Sequence, residues 1–353
     1  MPGRNRLIVI AAALYPAGRP GQSAYSAPGS GAATDGKWLA DVLLLVKSGG
    51  EKALPEWQAH FREADPRLDV RYWTDPSVRP EDVRYVLVWE PEEGRLSSMT
   101  GLKAVFSSGA GVDHITRVAD WPRHLPLIRM GGKETVQRMG EYIVWACLTL
   151  LRDMRAIARA QAESRWLHHE TLFSAPQRRV GIMGLGNLGA AAARMLQGLN
   201  FPVQGWSRSP KDIPGVRSFV GPEGLPDFLA TTDILVCLLP STPETDGLID
   251  GKLLAQLPAG AALVNAGRGP HVVEADLIAA LDTGHISGAV LDVFVQEPLP
   301  KENPLWSHPR VTVTPHVASM ANRRDRAAYV AGAIAAQEAG LPLPNVYDPE
   351  KGY

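Results

Sequence analysis

Three stretches of this chain set an ionisable group at the point where a short apolar run ends. Asn265-Ala266-Gly267-Arg268-Gly269 puts an arginine between glycines. Phe294-Val295-Gln296-Glu297-Pro298-Leu299-Pro300 puts a carboxylate in a proline-bounded turn, and Thr314-Pro315-His316-Val317-Ala318 puts a histidine behind a proline. A guanidinium is a rigid fork of donors that grips a carboxylate and can polarise the carbonyl beside it. An imidazole delivers a proton near neutral pH, and a neighbouring carboxylate keeps it charged. Arginine, glutamate and histidine together therefore suit reduction of a 2-oxo acid, with His316 supplying the proton that a nascent alkoxide needs. Singly, each residue also reads as a loop ion pair or a solvated tip. Three such groups on three strand ends beside a nucleotide loop read as catalytic.

The nucleotide loop lies upstream. Arg179-Val180-Gly181-Ile182-Met183 reads as a strand, Gly184-Leu185-Gly186-Asn187-Leu188-Gly189 follows, and an Ala-rich helix runs on past Ala193 to Met195. A G-x-G-x-x-G pattern between strand and helix is the dinucleotide fingerprint. Gly184 permits the tight turn, Gly186 lets backbone approach a pyrophosphate, and Gly189 lets helix pack on strand. With Asn187 and Leu188 at the helix N-terminus, these glycines are the expected cofactor contacts; a purely structural turn is the competing reading. The next strand, Phe201 to Trp206, ends in Ser207, Arg208, Ser209 and Lys211. NAD-binding relatives of this motif hold an acidic residue there for the ribose hydroxyls. Two cations and two hydroxyls in its place point to NADPH over NADH, against the alternative of a solvated basic turn.

These groups need a parallel sheet to carry them, and the chain supplies the pattern. Apolar runs at Val42–Val46, Leu68–Trp73, Tyr85–Trp89 and Lys103–Ser107 alternate with helical or turn segments, including a helix over Trp57–Ala64. Further runs at 234–239, 262–266, 288–293 and 311–314 follow the glycine loop. Strands alternating with helices imply an α/β fold, and ligands then sit beyond the carboxyl ends of strands. A helix over Glu141–Ala160 is expected to connect the two halves. The 353 residues allow two ordinary domains, and a net charge of −1 leaves no footprint for nucleic acid. Cys147 and Cys237, far apart in apolar runs, read as buried thiols in a reducing compartment. No apolar run is long enough to cross a bilayer. Residues 1–37 differ in composition: Arg4 and Arg6 precede Leu7–Leu14 and a Pro/Gly/Ser/Ala-rich stretch. They resemble a secretory signal, but the preferred reading is a flexible extension on a cytoplasmic enzyme, with a start codon assigned too early.

From Trp38 to Tyr353 the sequence resembles the D-isomer-specific 2-hydroxyacid dehydrogenases, in particular their bacterial glyoxylate/hydroxypyruvate reductase A branch. Leu102–Phe106 with Gly109-Ala110-Gly111-Val112-Asp113, Leu239–Thr245, His271-Val272-Val273-Glu274, and Leu305-Trp306 with His308-Pro309-Arg310 carry the likeness. It implies a flavodoxin-like substrate domain from residues 38–136 and 317–353, and a Rossmann-like cofactor domain over 137–316. It implies Arg268 as the carboxylate and carbonyl binder, His316 as acid/base, and Glu297 as its partner. Ala110 and Gly111 would hold the substrate carboxylate through their N–H groups, a nest that glycine-rich turns form readily. Leu239, Pro240, Thr245, Ala266, Gly267 and Asp292 would add cofactor contacts. Trp89 has two readings of equal weight, a pocket residue as in this branch or a core aromatic at a strand end. The branch's acidic, Thr-containing turn is replaced here by Gly131-Gly132-Lys133-Glu134-Thr135, which bears on substrate preference. A homodimer through the cofactor domains, with residues near Arg152–Phe173 contributing, is a further implication. The competing functions are another 2-oxo acid specificity and a dinucleotide-sensing binding protein of the same fold.

Overall fold

The computed structural model describes residues 42–168, 173–350 and 352. The extension expected over 1–37 lies outside them. A first sheet is built from β1 (Val42–Lys47), β2 (Leu68–Tyr72), β3 (Tyr85–Val88), β4 (Ala104–Ser107) and β5 (Leu127–Ile128), with α1 (Leu54–Ala64) and α2 (Asp113–Thr116) between strands. All pairs are parallel and the order is β2-β1-β3-β4-β5, that of flavodoxin-like sheets. A parallel sheet covered on both faces needs apolar residues at consecutive positions, and Tyr85-Val86-Leu87-Val88 is accordingly buried throughout.

The chain then forms α3 (Lys133–Leu151), α4 (Met154–Ala162), β6 (Val180–Met183), α5 (Asn187–Gly198), β7 (Val203–Ser207) and β8 (Arg217–Val220). It continues through α6 (Gly221–Ala230), β9 (Ile234–Cys237), α7 (Gly251–Leu254), β10 (Ala261–Asn265), α8 (Glu274–Asp282), β11 (Ile286–Leu291), β12 (Val311–Val313) and α9 (Arg323–Glu338). The second sheet runs β12-β11-β10-β9-β6-β7-β8. Counted from β6, this is the 3-2-1-4-5-6 order of dinucleotide-binding sheets with β12 added at one edge. Strand order reverses between β6 and β9, so the loops leaving those strands diverge and open a crevice there. The chain end returns to the first sheet: Ala327, Val330, Ala331 and Ile334 of α9 pack with Trp57 and Phe61 of α1 and Leu44 of β1.

The helix expected over 141–160 is two helices. α3 starts earlier, at Lys133 behind Gly132, and stops at Leu151. Asp153 then takes a left-handed conformation (φ 46°) and its carboxylate accepts the Ala156 N–H, opening α4. Helix-forming residues on both sides hide this break. The two-residue β5 and the edge strand β8, whose Arg217 is exposed, have too little apolar pattern to be read from sequence. Among the described residues no helix is long and apolar enough to cross a membrane, and no cluster of His, Cys, Asp and Glu could hold a metal. Cys147 and Cys237 are buried free thiols, pushed up to about 12 by burial.

Candidate active site

Strands β10, β11 and β12 are parallel neighbours, with Asn265 opposite Leu291 and Leu291 opposite Val313. Their carboxyl ends therefore emerge together, followed by Arg268, Glu297 and His316. His316 has a left-handed backbone (φ 54°), a strained state that surrounding contacts must impose. Asp292, 1% exposed, imposes it. Its carbonyl accepts the His316 N–H at 2.9 Å. Its carboxylate accepts the N–H groups of Val317 and Ala318, both at 2.9 Å, and the Thr314 hydroxyl at 2.6 Å. His316 Nδ1 lies 2.6 Å from Glu297 Oε2, while Glu297 Oε1 accepts the Phe294 N–H at 2.9 Å. Burial would raise the Glu297 carboxyl, but the His316 hydrogen bond, the Phe294 N–H and the charges of His316 and Arg268 hold it below its ordinary range. An ionised carboxylate only accepts, so Nδ1 donates to it and Nε2 remains for a ligand.

Arg268 reaches from the second sheet to the loop that follows β4. Its Nε donates to Asp113 Oδ1 at 2.8 Å, and Nη1 donates to the Gly267 carbonyl at 2.8 Å. Both side chains of the ion pair are largely buried, at 18% and 19% exposure. Burial would raise the Asp113 carboxyl, yet Arg268 holds it below its usual range. The guanidinium lies so close to the loop that a Cβ on residue 111 would sit 1.5 Å from Nη2 and would push the guanidinium aside. Ser107 shapes this loop: its hydroxyl lies 2.9 Å from the Gly109 carbonyl and 2.7 Å from that of Gly111, and accepts the Gly109 N–H at 3.1 Å. The N–H groups of Ala110 and Gly111 have no backbone acceptor among the described residues. Adjacent N–H groups beside a guanidinium make a concavity for an anion.

Trp89 follows β3 and is half-buried in this cleft. It stacks on His114 at 3.8 Å and meets His316 edge-on at 5.9 Å. His114 Nε2 lies 3.3 Å from the Ser107 hydroxyl. Burial drives this imidazole down to about 3, helped by Arg268 and His316 and opposed by Asp113. His114 was not singled out from sequence, and Asp113 entered only as the last residue of the Gly109–Asp113 motif, with no role given to it. Their one signal was position, directly behind the Gly109–Val112 turn.

On the dinucleotide side, Gly184 sits at φ 101° with the Leu238 carbonyl 2.7 Å from where a Cβ would be, and a Cβ on Gly189 would meet the Gly184 carbonyl at 2.0 Å. Gly186 is different: nothing lies within 4 Å of its Cβ position. As N-cap of α5 it has no side chain to cap the helix. The first-turn N–H groups of Asn187, Leu188 and Gly189 are thus available to an anion in open space, the geometry a pyrophosphate requires.

Residues 144–318 match the family model described as D-isomer specific 2-hydroxyacid dehydrogenase, NAD binding domain. Glyoxylate/hydroxypyruvate reductase A of Klebsiella pneumoniae (strain 342) is 42% identical over 304 residues, covering 85% of this chain and 96% of that protein. This chain belongs to the D-isomer-specific 2-hydroxyacid dehydrogenases. A member of the family from Xanthobacter autotrophicus Py2, solved with NADPH and MES, superposes with a TM-score of 0.83 at 43% identity, covering 89% of this chain and all (100%) of that one. The NADPH-dependent glyoxylate/hydroxypyruvate reductase of Sinorhizobium meliloti, solved with NADP and sulfate, gives 0.81 at 38% identity, covering 88% of this chain and 100% of that one.

The remaining positions in this dehydrogenase divide by what they touch. Ser207 closes β7, 8% exposed, and its hydroxyl donates to the Ser209 carbonyl at 2.8 Å. Arg208 and Ser209 are exposed and Lys211 half-buried. The Lys211 N–H donates to the Ser218 hydroxyl, which fixes the turn. Leu239 and Pro240 follow β9, facing the glycine loop across the crevice. The Thr245 hydroxyl donates to the Pro240 carbonyl at 2.8 Å and accepts the Thr242 N–H at 2.9 Å, so it holds its own loop. Ala266 and Gly267 follow β10, their N–H groups bound to the Cys237 carbonyl and Asn265 Oδ1. Asp292 anchors the His316 segment, as described. Gly132 caps α3, and Gly131 lines a recess of about 350 Å³ with Lys133, Gln137 and Arg194; none of Arg268, Glu297 and His316 borders it.

Proposed function

We propose that this dehydrogenase reduces a small 2-oxo acid, glyoxylate or hydroxypyruvate, with NADPH. The observation that carries the reading is the meeting of Arg268 with the Gly111 turn, beside a His316–Glu297 pair whose Nε2 is free to donate. The two relatives named as glyoxylate/hydroxypyruvate reductases support the substrate class. The nicotinamide, when bound, supplies the hydride to the carbonyl carbon. Arg268 grips the substrate carboxylate and polarises the carbonyl as a planar fork, and the Ala110 and Gly111 N–H groups hold the same carboxylate. His316 Nε2 protonates the carbonyl oxygen, and Glu297 stabilises the charged imidazole and fixes its orientation. Trp89 forms a wall of the pocket.

Gly184, Gly186, Asn187, Leu188 and Gly189 take the pyrophosphate in this reading, with Leu239, Pro240, Thr245, Ala266, Gly267 and Asp292 bordering the rest of the cofactor. Ser207, Arg208, Ser209 and Lys211 take the 2′-phosphate, which a carboxylate at Ser207 would repel. The substrate domain comprises 38–136 and 317–353, the cofactor domain 137–316, although α3 runs across their boundary. Trp145, Met154, Trp166 and Phe173 are exposed apolar residues on α3, α4 and the segment beyond, and they support a homodimer through the cofactor domain. The buried thiols and the choice of NADPH suit a cytoplasmic enzyme. Steady-state oxidation of NADPH and NADH with a panel of 2-oxo acids tests the assignment. Turnover with glyoxylate and hydroxypyruvate at higher kcat/KM than with longer 2-oxo acids is expected. Tight NADPH binding without turnover of any 2-oxo acid would overturn it and mark a sensing protein instead.

A further inference from the structure

The main chain of Arg268 is gripped from two sides by buried side chains. Its N–H donates to His271 Nδ1 at 3.0 Å, and its carbonyl accepts from Asn265 Nδ2 at 2.9 Å. His271 is 0% and Asn265 1% exposed. The other ring nitrogen of His271, Nε2, lies 3.2 Å from the Pro240 carbonyl, in the loop after β9. Cys237 Sγ is 3.4 Å from Nδ1, and a Cβ on Gly267 would come within 3.0 Å of the same atom. A backbone N–H only donates and a carbonyl only accepts, so Nδ1 is bare and Nε2 carries the proton. Burial and the Arg268 charge push this imidazole below its ordinary range, against the Pro240 carbonyl and the charges of Asp246 and Asp113. One neutral tautomer thus joins two loops that border the cleft.

We propose that His271 is a positioning residue: its Nδ1, by accepting the Arg268 N–H, sets the orientation of Arg268, while its Nε2–H only holds the ring in place against the Pro240 carbonyl. The inference rests on Arg268 being the substrate-binding arginine. Tolerance at that arginine is small, because Nη2 fills the volume that a Cβ on residue 111 would need. Loss of the acceptor leaves the Arg268 N–H without its partner in a buried site, and the peptide rotates to find another. A displacement of about 1 Å at a positioning group costs on the order of a hundredfold in rate.

Two variants separate positioning from packing. Asn carries an amide oxygen where Nδ1 stands, and Gln carries an amide nitrogen where Nε2 stands. His271→Asn therefore keeps the acceptor for Arg268, whereas His271→Gln keeps only the donor to Pro240. Both are assayed with glyoxylate and NADPH, alongside melting temperature and NADPH affinity by fluorescence. His271→Asn should retain kcat within about threefold, and His271→Gln should lose roughly tenfold to a hundredfold, with NADPH affinity nearly unchanged in both. Equal loss in the two, or loss in neither, overturns the proposal. If the Gln variant does not fold, the Asn variant decides alone: a tenfold fall in its kcat overturns the proposal. Arg268→Ala is run in parallel; retained turnover there would defeat the assignment of Arg268 itself, a different outcome from intact His271 variants.

Discussion

Replacing Asp113 tests whether the ion pair beneath Arg268 serves orientation or merely charge. Asp113→Asn keeps the shape and an oxygen acceptor for Nε, now 2.8 Å away, but removes the carboxylate charge. Hydrogen bonds to charged groups contribute about 1.5–3 kcal/mol, and a neutral partner retains roughly half. The orientation loss is then about 1 kcal/mol, or somewhat less than tenfold in rate. A second effect has the opposite sign. The lost negative charge would have repelled the substrate carboxylate, and two charges about 6 Å apart in a partly wet cleft interact by roughly 1 kcal/mol. The two effects separate kinetically. Repulsion acts alike on bound substrate and transition state, so its removal lowers KM, whereas orientation is felt as charge develops on the carbonyl and lowers kcat. Asp113→Asn should therefore reduce kcat by about fivefold to tenfold with KM for glyoxylate reduced or unchanged. Asp113→Ala should deepen the kcat loss to roughly thirtyfold, because no acceptor remains. Steady-state kinetics at saturating NADPH, with cofactor affinity measured separately, decides it. Unchanged kcat together with lowered KM would refute the orientation role and leave Asp113 as a purely electrostatic neighbour.

His316→Asn should leave NADPH affinity intact and lower kcat by ~10²–10⁴-fold, measured by single-turnover absorbance; near-normal turnover would move the proton donor elsewhere. Ser207→Asp should lower the NADPH-to-NADH ratio of kcat/KM by about tenfold to a hundredfold, through repulsion of the 2′-phosphate and new acceptors for ribose hydroxyls. An unmoved ratio would reduce Ser207–Lys211 to a solvated turn. Asp233 provides a stability prediction remote from the chemistry, since it precedes β9 and pairs with Arg179 before β6 through contacts of 2.7, 2.8 and 2.9 Å. Burial alone would raise its carboxyl, but these contacts hold it below the ordinary value. Its stabilisation is therefore complete above the unfolded carboxylate range, near pH 4, and is lost as pH falls through the lower folded value. Asp233→Asn should lower Tm by a few degrees at pH 7, an effect that shrinks below about pH 4 with kcat unchanged. A difference independent of pH would contradict the ion-pair account.

The strand ends were legible because a fully buried parallel strand writes a continuous apolar run, and a polar group just beyond it stands out. That logic located Arg268, Glu297, His316 and the glycine loop at the carboxyl ends of their strands. It could not reach the contact of Arg268 with Asp113, 155 residues apart, because only the fold brings them together. Nor could it find the His114–Trp89 stack, since a lone histidine after a glycine turn carries no pattern. Thr245 and Asp292 show the converse. The resemblance implied cofactor contact for both, and their side chains shape the Pro240 and His316 loops, a role no motif announces. The break at Asp153 was invisible for a local reason, because its neighbours are all competent helix formers and only the left-handed cap interrupts them.

The interlock of Arg268 with Gly111 also bears on how such chains can diverge. The arginine and the space it fills come from opposite halves of the sequence, and its counter-ion Asp113 comes with that space. A chimera joining the first half of one relative to the second half of another keeps this site only if glycine and aspartate travel together and meet an arginine on the same backbone. A lone Gly111→Ala change would displace the Arg268 guanidinium from its place beside Asp113. The two halves are therefore expected to be inherited as one unit at these three positions.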